Sequence, residues 1–441
     1  MTSLGRVWQA EGPAAVRDRL WDRIRFARWR RTGWFASGRP WPSSSILNVI
    51  GVPIATQFGG VPLQLRARLM HEADQRPIAL LSREADGRLR LDAWDAGHHH
   101  AQMFASSEWN GDPLVEHPHW LETLRTCCQL VHARAVHIEN LAGLSLPSLV
   151  RLTDTDESGL ALALSVHDFG VFCRRPHLWE SSGQFCDYST DALRCHTCLT
   201  RGGDGFSIDQ EHHRFLAGLL LAAASPIVLP SEFMAEQLMD LFDTIEPRAL
   251  RVIPPGIDVA EDVAPSARHP DRIAFIGTQD HKGGGRLAAL AAALTSRGVQ
   301  VTVYGGYGHE HLLALRRIRG VRVRGYYRAG TLSSLLARDG IAAALLLSQV
   351  PESFSLVLSE AWAAGVPAVA SDLGAFRERL SEAGKGAGEL VSPTACDADI
   401  LAALDRVRQA PDADLPAVPT AEAAAEAHLR LYRVRRLIAS S

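Results

Sequence analysis

From Ser45 onward the chain alternates short apolar runs with segments of helical period, and this alternation limits its fold more than any other feature. SILNVIGVPI is strand-like and ends in the loop TQFGG, after which VPLQLRARLMHEA has helical spacing. PIALLS, RAVHI and LALALSVHD repeat the theme of buried strand followed by polar loop. After PSEFMAEQLMDLF, a helix with a Ser231 cap and an early Glu232, ALRVIPPGIDV reads as the last strand and exit loop of a first unit. APSARHPDR, residues 264–272, is a linker. A second cycle runs through RIAFIGT, GRLAALAAALTSRG, VQVTVYG, GVRVRGYY and IAAALLL, and closes with VPAVAS. The prediction is an α/β fold of two doubly wound parallel sheets whose ligands sit outside the carboxyl ends of the strands, in a cleft between facing halves. The expected divisions are a basic Trp-rich segment at 1–45, a first domain at 46–263 with a cysteine-rich insert at 170–205, a second domain at 264–424, and a C-terminal helix at 425–441 crossing back to the first.

Bulk properties agree with two domains, since 441 residues exceed what one hydrophobic core supports. A formal charge of −3 gives no electrostatic footprint for nucleic acid. The longest apolar run, FLAGLLLAAA from Phe215, is short for a membrane span, and no signal-peptide apolar region opens the chain, so a cytoplasmic protein is expected. Of 46 basic residues only Lys282 and Lys385 are lysines, which singles out Lys282 in HKGGG. Residues 1–45 hold Trp8, Trp21, Trp29, Trp34 and Trp41, with nine arginines against three acids. There Val16, Leu20, Trp21, Ile24 and Ala27 fall at helical spacing among arginines. Such a helix either lies peripherally on the inner face of the cytoplasmic membrane or docks on its own domain.

PESFSLVLSEAWAAGVP, residues 351–367, places Glu352 and Glu360 in an otherwise apolar stretch. Gly365 and Pro367 end a helix that starts near Ser355, so Glu352 precedes the helix and Glu360 lies inside it. The free N–H groups around Phe354, Ser355, Leu356 and Val357 make an anion site. Amides on a diphosphate, one carboxylate on sugar hydroxyls and another on a ribose would suit a sugar nucleotide.

PESFSLVLSEAWAAGVPAVASDLGAFRERL resembles the E-x7-E region of glycosyltransferase family 4, retaining enzymes of the GT-B fold, which has two Rossmann-like domains facing across a cleft. Its phrasing is similar to enzymes of O-antigen and other surface polysaccharide assembly, and the resemblance extends over about residues 46–381. It implies a hexosyltransferase-like enzyme with a nucleotide-diphosphate sugar donor, a glycan or lipid-linked glycan acceptor and no catalytic divalent metal. It places Glu352 on the donor sugar, Glu360 on the ribose, His167 of VHDFGVFCRRPHLWE near the sugar hydroxyls, and Lys282 on the diphosphate. The family's arginine is replaced by Thr278. Gly59 and Gly60 match the family's Gly-Gly loop, where backbone approaches phosphate or acceptor, although glycines making a turn look the same. The loop near Tyr326 is a donor contact, and His137 and Asn140 in VHIENL can reach the acceptor. For His167 the alternative is a core histidine bonded to backbone, and for Lys282 a solvated surface lysine. A sugar-nucleotide epimerase of the same fold and a catalytically silent binding module are the rival functions.

Cys173, Cys186, Cys195 and Cys198 form C-x12-C-x8-C-x2-C. Four thiolates would close a tetrahedral structural zinc site, with His196 a substitute ligand and free thiols the alternative. DTD at 154–156 falls at a helix end before a strand, and HHH at 98–100 reads as a loop; neither is assigned a metal.

Overall fold

The computed structural model describes residues 3–31, 40–54, 59–95, 98–104, 112–153, 159–202, 209–258, 267–410 and 415–438. The DTD triplet lies outside these residues. The chain divides into two compact units. The first comprises residues 26–182, 186–256 and 421–441, and the second residues 1–25, 183–185 and 257–420.

In the first unit an eight-stranded sheet has the order β4-β3-β2-β1-β5-β6-β7-β8. Its strands are β1 (Ile46–Ile50), β2 (Ile78–Arg83), β3 (Leu89–Asp95), β4 (His98–Phe104), β5 (Ala135–Asn140), β6 (Ala161–Ser165), β7 (Ile227–Leu229) and β8 (Leu250–Val252). From β2 to β8 the pairings are parallel, and β1 and β5 are buried along their whole length, their apolar residues interrupted by the buried polar side chains Asn48, His137, Glu139 and Asn140. β3 and β4 add an antiparallel hairpin at one edge. The His98–His100 triplet is therefore strand, not loop. His99 turns inward, with Nε2 2.7 Å from Asp92 and its ring stacked on Trp94 at 4.9 Å, while His98 points out. A polar triplet hides strand alternation because its inward member is satisfied by a buried carboxylate rather than by apolar contact.

The second unit holds a six-stranded, all-parallel sheet in the order β11-β10-β9-β12-β13-β14. These strands are β9 (His269–Ile276), β10 (Gln300–Tyr304), β11 (Val321–Gly325), β12 (Ile341–Leu346), β13 (Ala368–Ser371) and β14 (Gly388–Val391). Period-two alternation splits its core between two faces. Ile273, Phe275, Ala343 and Leu345 pack with Leu290, Leu294, Leu312 and Leu404 on one side. Ala274, Ile276, Ala344 and Leu346 pack with Leu336, Leu358, Trp362 and Phe376 on the other.

Two terminal helix sets complete the units. α1 (Ser3–Glu11) and the portion of α2 (Pro13–Arg31) through Arg25 belong to the second unit, where Ala10 enters the sheet's core. The C-terminal helix, Ala421–Val434, belongs to the first unit and packs on the helix Gly60–Ala73. Its buried Tyr432 sits with Ile46 and Ala135.

Candidate active site

In the second unit the strand order reverses between β9 and β12, the topological switch point where open α/β sheets bind ligands. The loops leaving these two strands meet there. Gln349 donates its N–H to the His281 carbonyl at 2.7 Å, and the Ser348 hydroxyl lies 3.3 Å from the same oxygen. Gly283 has φ +78°, and a Cβ there would stand 2.4 Å from the Leu347 carbonyl oxygen, so the close approach requires glycine.

Across this junction Lys282 forms a short ion pair with Glu352. The two side chains are 30% and 15% exposed, so the pair is open to a ligand yet shielded enough for its charges to be felt. Burial raises the Glu352 carboxyl, but the Lys282 ammonium, a Ser348 hydrogen bond and His281 outweigh it and hold the group below the ordinary glutamate value. Glu360 has the opposite balance. Burial pushes it up to about 7, opposed by the Leu332 N–H.

The segment between the glutamates is held by a residue to which the sequence reading gave no role. Arg379 donates to the carbonyls of Phe354 and Ser355 at 3.0 and 2.9 Å and to the Ser359 hydroxyl at 2.8 Å. Its guanidinium lies 4.1 Å over the Phe354 ring and 4.8 Å from that of Trp362. Burial brings it down to about 10. Ser355 adopts the left-handed conformation at φ +70°, a strained choice for a residue with a Cβ, and its hydroxyl accepts from the Leu358 N–H at 3.4 Å to start the helix Leu356–Ala363. Gly374 bridges to Glu352, and a Cβ there would lie 2.6 Å from the Glu352 carbonyl oxygen. The signal for Arg379 was its place at helical spacing with Ala375, Phe376 and Leu380, on a face that a buried helix would otherwise fill with hydrocarbon.

Thr278, where the arginine was expected, is fully buried and donates its hydroxyl to the Tyr307 carbonyl. It ties one loop of the second unit to another and carries no charge.

Tyr326 is enclosed by the N-terminal helices. Its hydroxyl donates to Asp22 at 2.7 Å, its N–H to Glu11 at 2.9 Å, and Arg19 lies 4.4 Å over its ring. The side chain is engaged in packing rather than offered to a donor, a correction to its place in the sequence reading.

The remaining candidates lie in the first unit. Gly59 caps the helix Gly60–Ala73 without a side chain, and both glycines are exposed. His167 follows β6 and stands 2.9 Å from the Gln64 amide nitrogen through Nδ1. Burial, with Arg68 adding to it against Glu139, brings His167 down to about 4, so the ring is neutral at physiological pH. Asp168 accepts from the Gly170 N–H at 2.8 Å and from the Asn140 amide at 3.1 Å. His137 is fully buried, with its ring nitrogens 2.6 Å from the Tyr432 hydroxyl and 2.8 Å from that of Ser165. It is a core histidine rather than an acceptor contact, because it sits mid-strand beneath the C-terminal helix instead of at the strand's end.

All seven cysteines are free thiols. As the side chains stand, no three His, Cys, Asp or Glu groups among the described residues are placed to hold a metal ion. Cys173, Cys186, Cys195 and Cys198 nevertheless line one pocket.

Residues 270–409 match the family model described as glycosyl transferases group 1. None of the curated proteins matches the chain in sequence. Sucrose-phosphate synthase from Thermosynechococcus elongatus superposes with a TM-score of 0.58 at 16% identity, over 89% of this chain and 99% of that one. HepE of Anabaena, solved with UDP, gives 0.51 at 14% identity over 89% and 97%. The lipopolysaccharide outer core galactosyltransferase WaaB gives 0.52 at 16% identity over 89% and 96%. The fold is GT-B. The match to the group 1 glycosyl transferase model falls within the second unit.

Proposed function

We propose that the protein is a retaining family 4 glycosyltransferase that moves a sugar from a nucleotide-diphosphate donor to a growing cell-surface glycan, of O-antigen, capsule or exopolysaccharide type. The observation that carries this reading is the Lys282–Glu352 pair at the switch point of the second sheet, beside a helix entry fixed by Arg379. HepE, one of the similar structures, is solved with UDP-glucose, which fits a nucleotide-sugar donor.

In this account Lys282 and the amides around Phe354, Ser355, Leu356 and Val357 hold the diphosphate. As the bond from the anomeric carbon to the phosphate oxygen breaks, negative charge grows on the leaving group, and these preorganised groups stabilise it. Glu352 turns from Lys282 toward the donor sugar's hydroxyls, and Glu360 accepts from the ribose. The acceptor oxygen bonds to the anomeric carbon on the face the phosphate leaves, and its proton passes to the departing phosphate. His167, neutral, positions the sugar, and the Gly59–Gly60 turn lets backbone approach the acceptor side. No catalytic divalent metal takes part.

The test is incubation with a panel of nucleotide sugars and lipid-linked acceptors. A glycosylated product with retained configuration is expected. An altered nucleotide sugar without transfer would make the protein an epimerase, and no turnover with intact binding would make it a silent module.

A membrane-surface location rests on the N-terminal helices. Glu11, Asp18 and Asp22, the three acids of the segment, are at most 2% exposed, and with Ala15 they form the buried face. They meet Tyr326, Arg324 and Arg19 inside the second unit. Arg17, Leu20, Trp21 and Ile24 form the opposite face and are exposed, as are Arg6 and Trp8. Acids inward and Trp, Leu, Ile and Arg outward suit an anionic bilayer at the inner face of the cytoplasmic membrane. Among the described residues no helix is long and apolar enough to cross a membrane. Flotation with phosphatidylglycerol vesicles should fall for a Trp8→Ser, Trp21→Ser variant, and equal flotation would refute the contact.

A further inference from the structure

We infer that Cys173, Cys186, Cys195 and Cys198 form a mononuclear structural zinc centre that locks the insert against the strand end carrying His167 and Asp168. The four residues come from a loop and a helix, yet all line one pocket.

The backbone around two of them is already shaped for thiolate ligation. The Arg175 N–H donates to the Cys173 sulfur at 3.4 Å, two residues on in sequence. The Ser189 N–H closes a tight turn on Cys186, donating to its carbonyl at 3.1 Å. Within that turn Asp187 and Tyr188 both take left-handed conformations, at φ +50° and +53°, and neither is glycine. Two consecutive strained residues persist only where something over-determines them, and N–H donors around sulfur are the outer-shell contacts that stabilise a metal-bound thiolate.

The second pair, Cys195 and Cys198, is spaced i, i+3 on the helix Ala192–Gly202 and so shares one face. Arg214 donates to the Cys195 sulfur at 3.5 Å. Two loop sulfurs and two helix sulfurs make a four-thiolate donor set, which selects zinc or iron–sulfur clusters among common metals. A cysteine has one side-chain torsion, so ligation would require each sulfur to turn toward a shared ion about χ1.

The centre lies a short path from the loop that follows β6 in the same unit. Asp168 caps the turn Phe169–Val171, and the Phe169 carbonyl accepts from the Cys173 N–H at 2.8 Å. With four protein ligands no position remains open for chemistry, so the metal's role is to order this segment.

The test uses the full chain purified without chelator. Elemental analysis should find one zinc per chain, released on titration with a mercurial thiol reagent. A Cys195→Ser, Cys198→Ser variant should lose at least tenfold of that zinc, while Cys396→Ser, at an exposed cysteine elsewhere, keeps it. Because the double variant can fail to fold, cobalt exchanged into the wild-type chain provides a second readout, with the intense visible bands of a tetrahedral thiolate complex. Absence of zinc, zinc retained in the double variant, stoichiometric iron, or cobalt without those bands would each overturn the assignment. None of these readouts depends on glycosyl transfer.

Discussion

The Arg68 network of the first unit and the strand crossover of the second bury charge in opposite ways. In the first, Arg68 is 7% exposed and sits between Glu72 and Glu139, which are essentially inaccessible, while Tyr432 and His137 close the network. Burial works against the Arg68 charge, but Glu139, Tyr432 and Glu72 outweigh it and keep the guanidinium protonated. In the second unit, the Lys282–Glu352 pair is partly open, Glu360 is held near 7 by burial, and Arg379 spends its hydrogen bonds on two carbonyls and a hydroxyl. Closed networks hold elements together, whereas buried charges left incompletely balanced at a strand crossover are groups that a ligand can complete. The contrast predicts that equivalent lesions will register as lost stability in one unit and as lost turnover in the other.

Arg68→Met gives the largest effect on the stability side. Removing one partner of a buried pair leaves carboxylates uncompensated, so unfolding free energy should drop by about 3–5 kcal/mol. Urea denaturation measures it, and a loss under about 1 kcal/mol would show that the network is not a clamp. Lys282→Ala is the matching lesion in the second unit. Turnover should fall about 10²–10³-fold, the loss typical of one preorganised donor, with a melting temperature near wild type. Full turnover in both Lys282→Ala and Glu352→Ala would separate the crossover from the chemistry.

A smaller effect is expected from Arg379→Met, which should raise the donor KM about tenfold by releasing the Phe354–Ser355 carbonyls, without altering the pH profile. Smallest is the pH dependence at Glu360. Its folded pKa of about 7 lies above the unfolded value, so ionisation destabilises the fold. Stability from this group is therefore present at acid pH and lost as pH rises toward and through 7. Glu360→Gln should gain stability over wild type at pH 8 and none at pH 3. With the ribose bound by the carboxylate form, wild-type donor affinity should rise through pH 7 and that of Glu360→Gln should stay flat.

Much of the fold was legible because parallel strands buried on both faces leave unbroken apolar runs such as IAAALLL. The same reading put Lys282 and Glu352 on loops after strands, and the structure brings them into contact. Less legible were contacts made by polar residues far apart in sequence. Helical spacing of Leu20, Trp21 and Ile24 announced a helix but did not reveal its buried stripe, which is Glu11, Ala15, Asp18 and Asp22. His137 looked like a strand-end residue until the C-terminal helix, 295 residues on at Tyr432, was seen to cover it. Arg379 had a similar fate, since its partners at Phe354, Ser355 and Ser359 are set by the crossover and not by local pattern.

The central claim is that the β9–β12 crossover holds a nucleoside diphosphate through Lys282. Isothermal titration of UDP, ADP, GDP and CDP into wild type and Lys282→Ala tests it most directly. The account predicts that at least one nucleotide binds wild type and binds Lys282→Ala at least tenfold more weakly at unchanged thermal stability. Equal affinity in both proteins, or no binding by wild type, would contradict it.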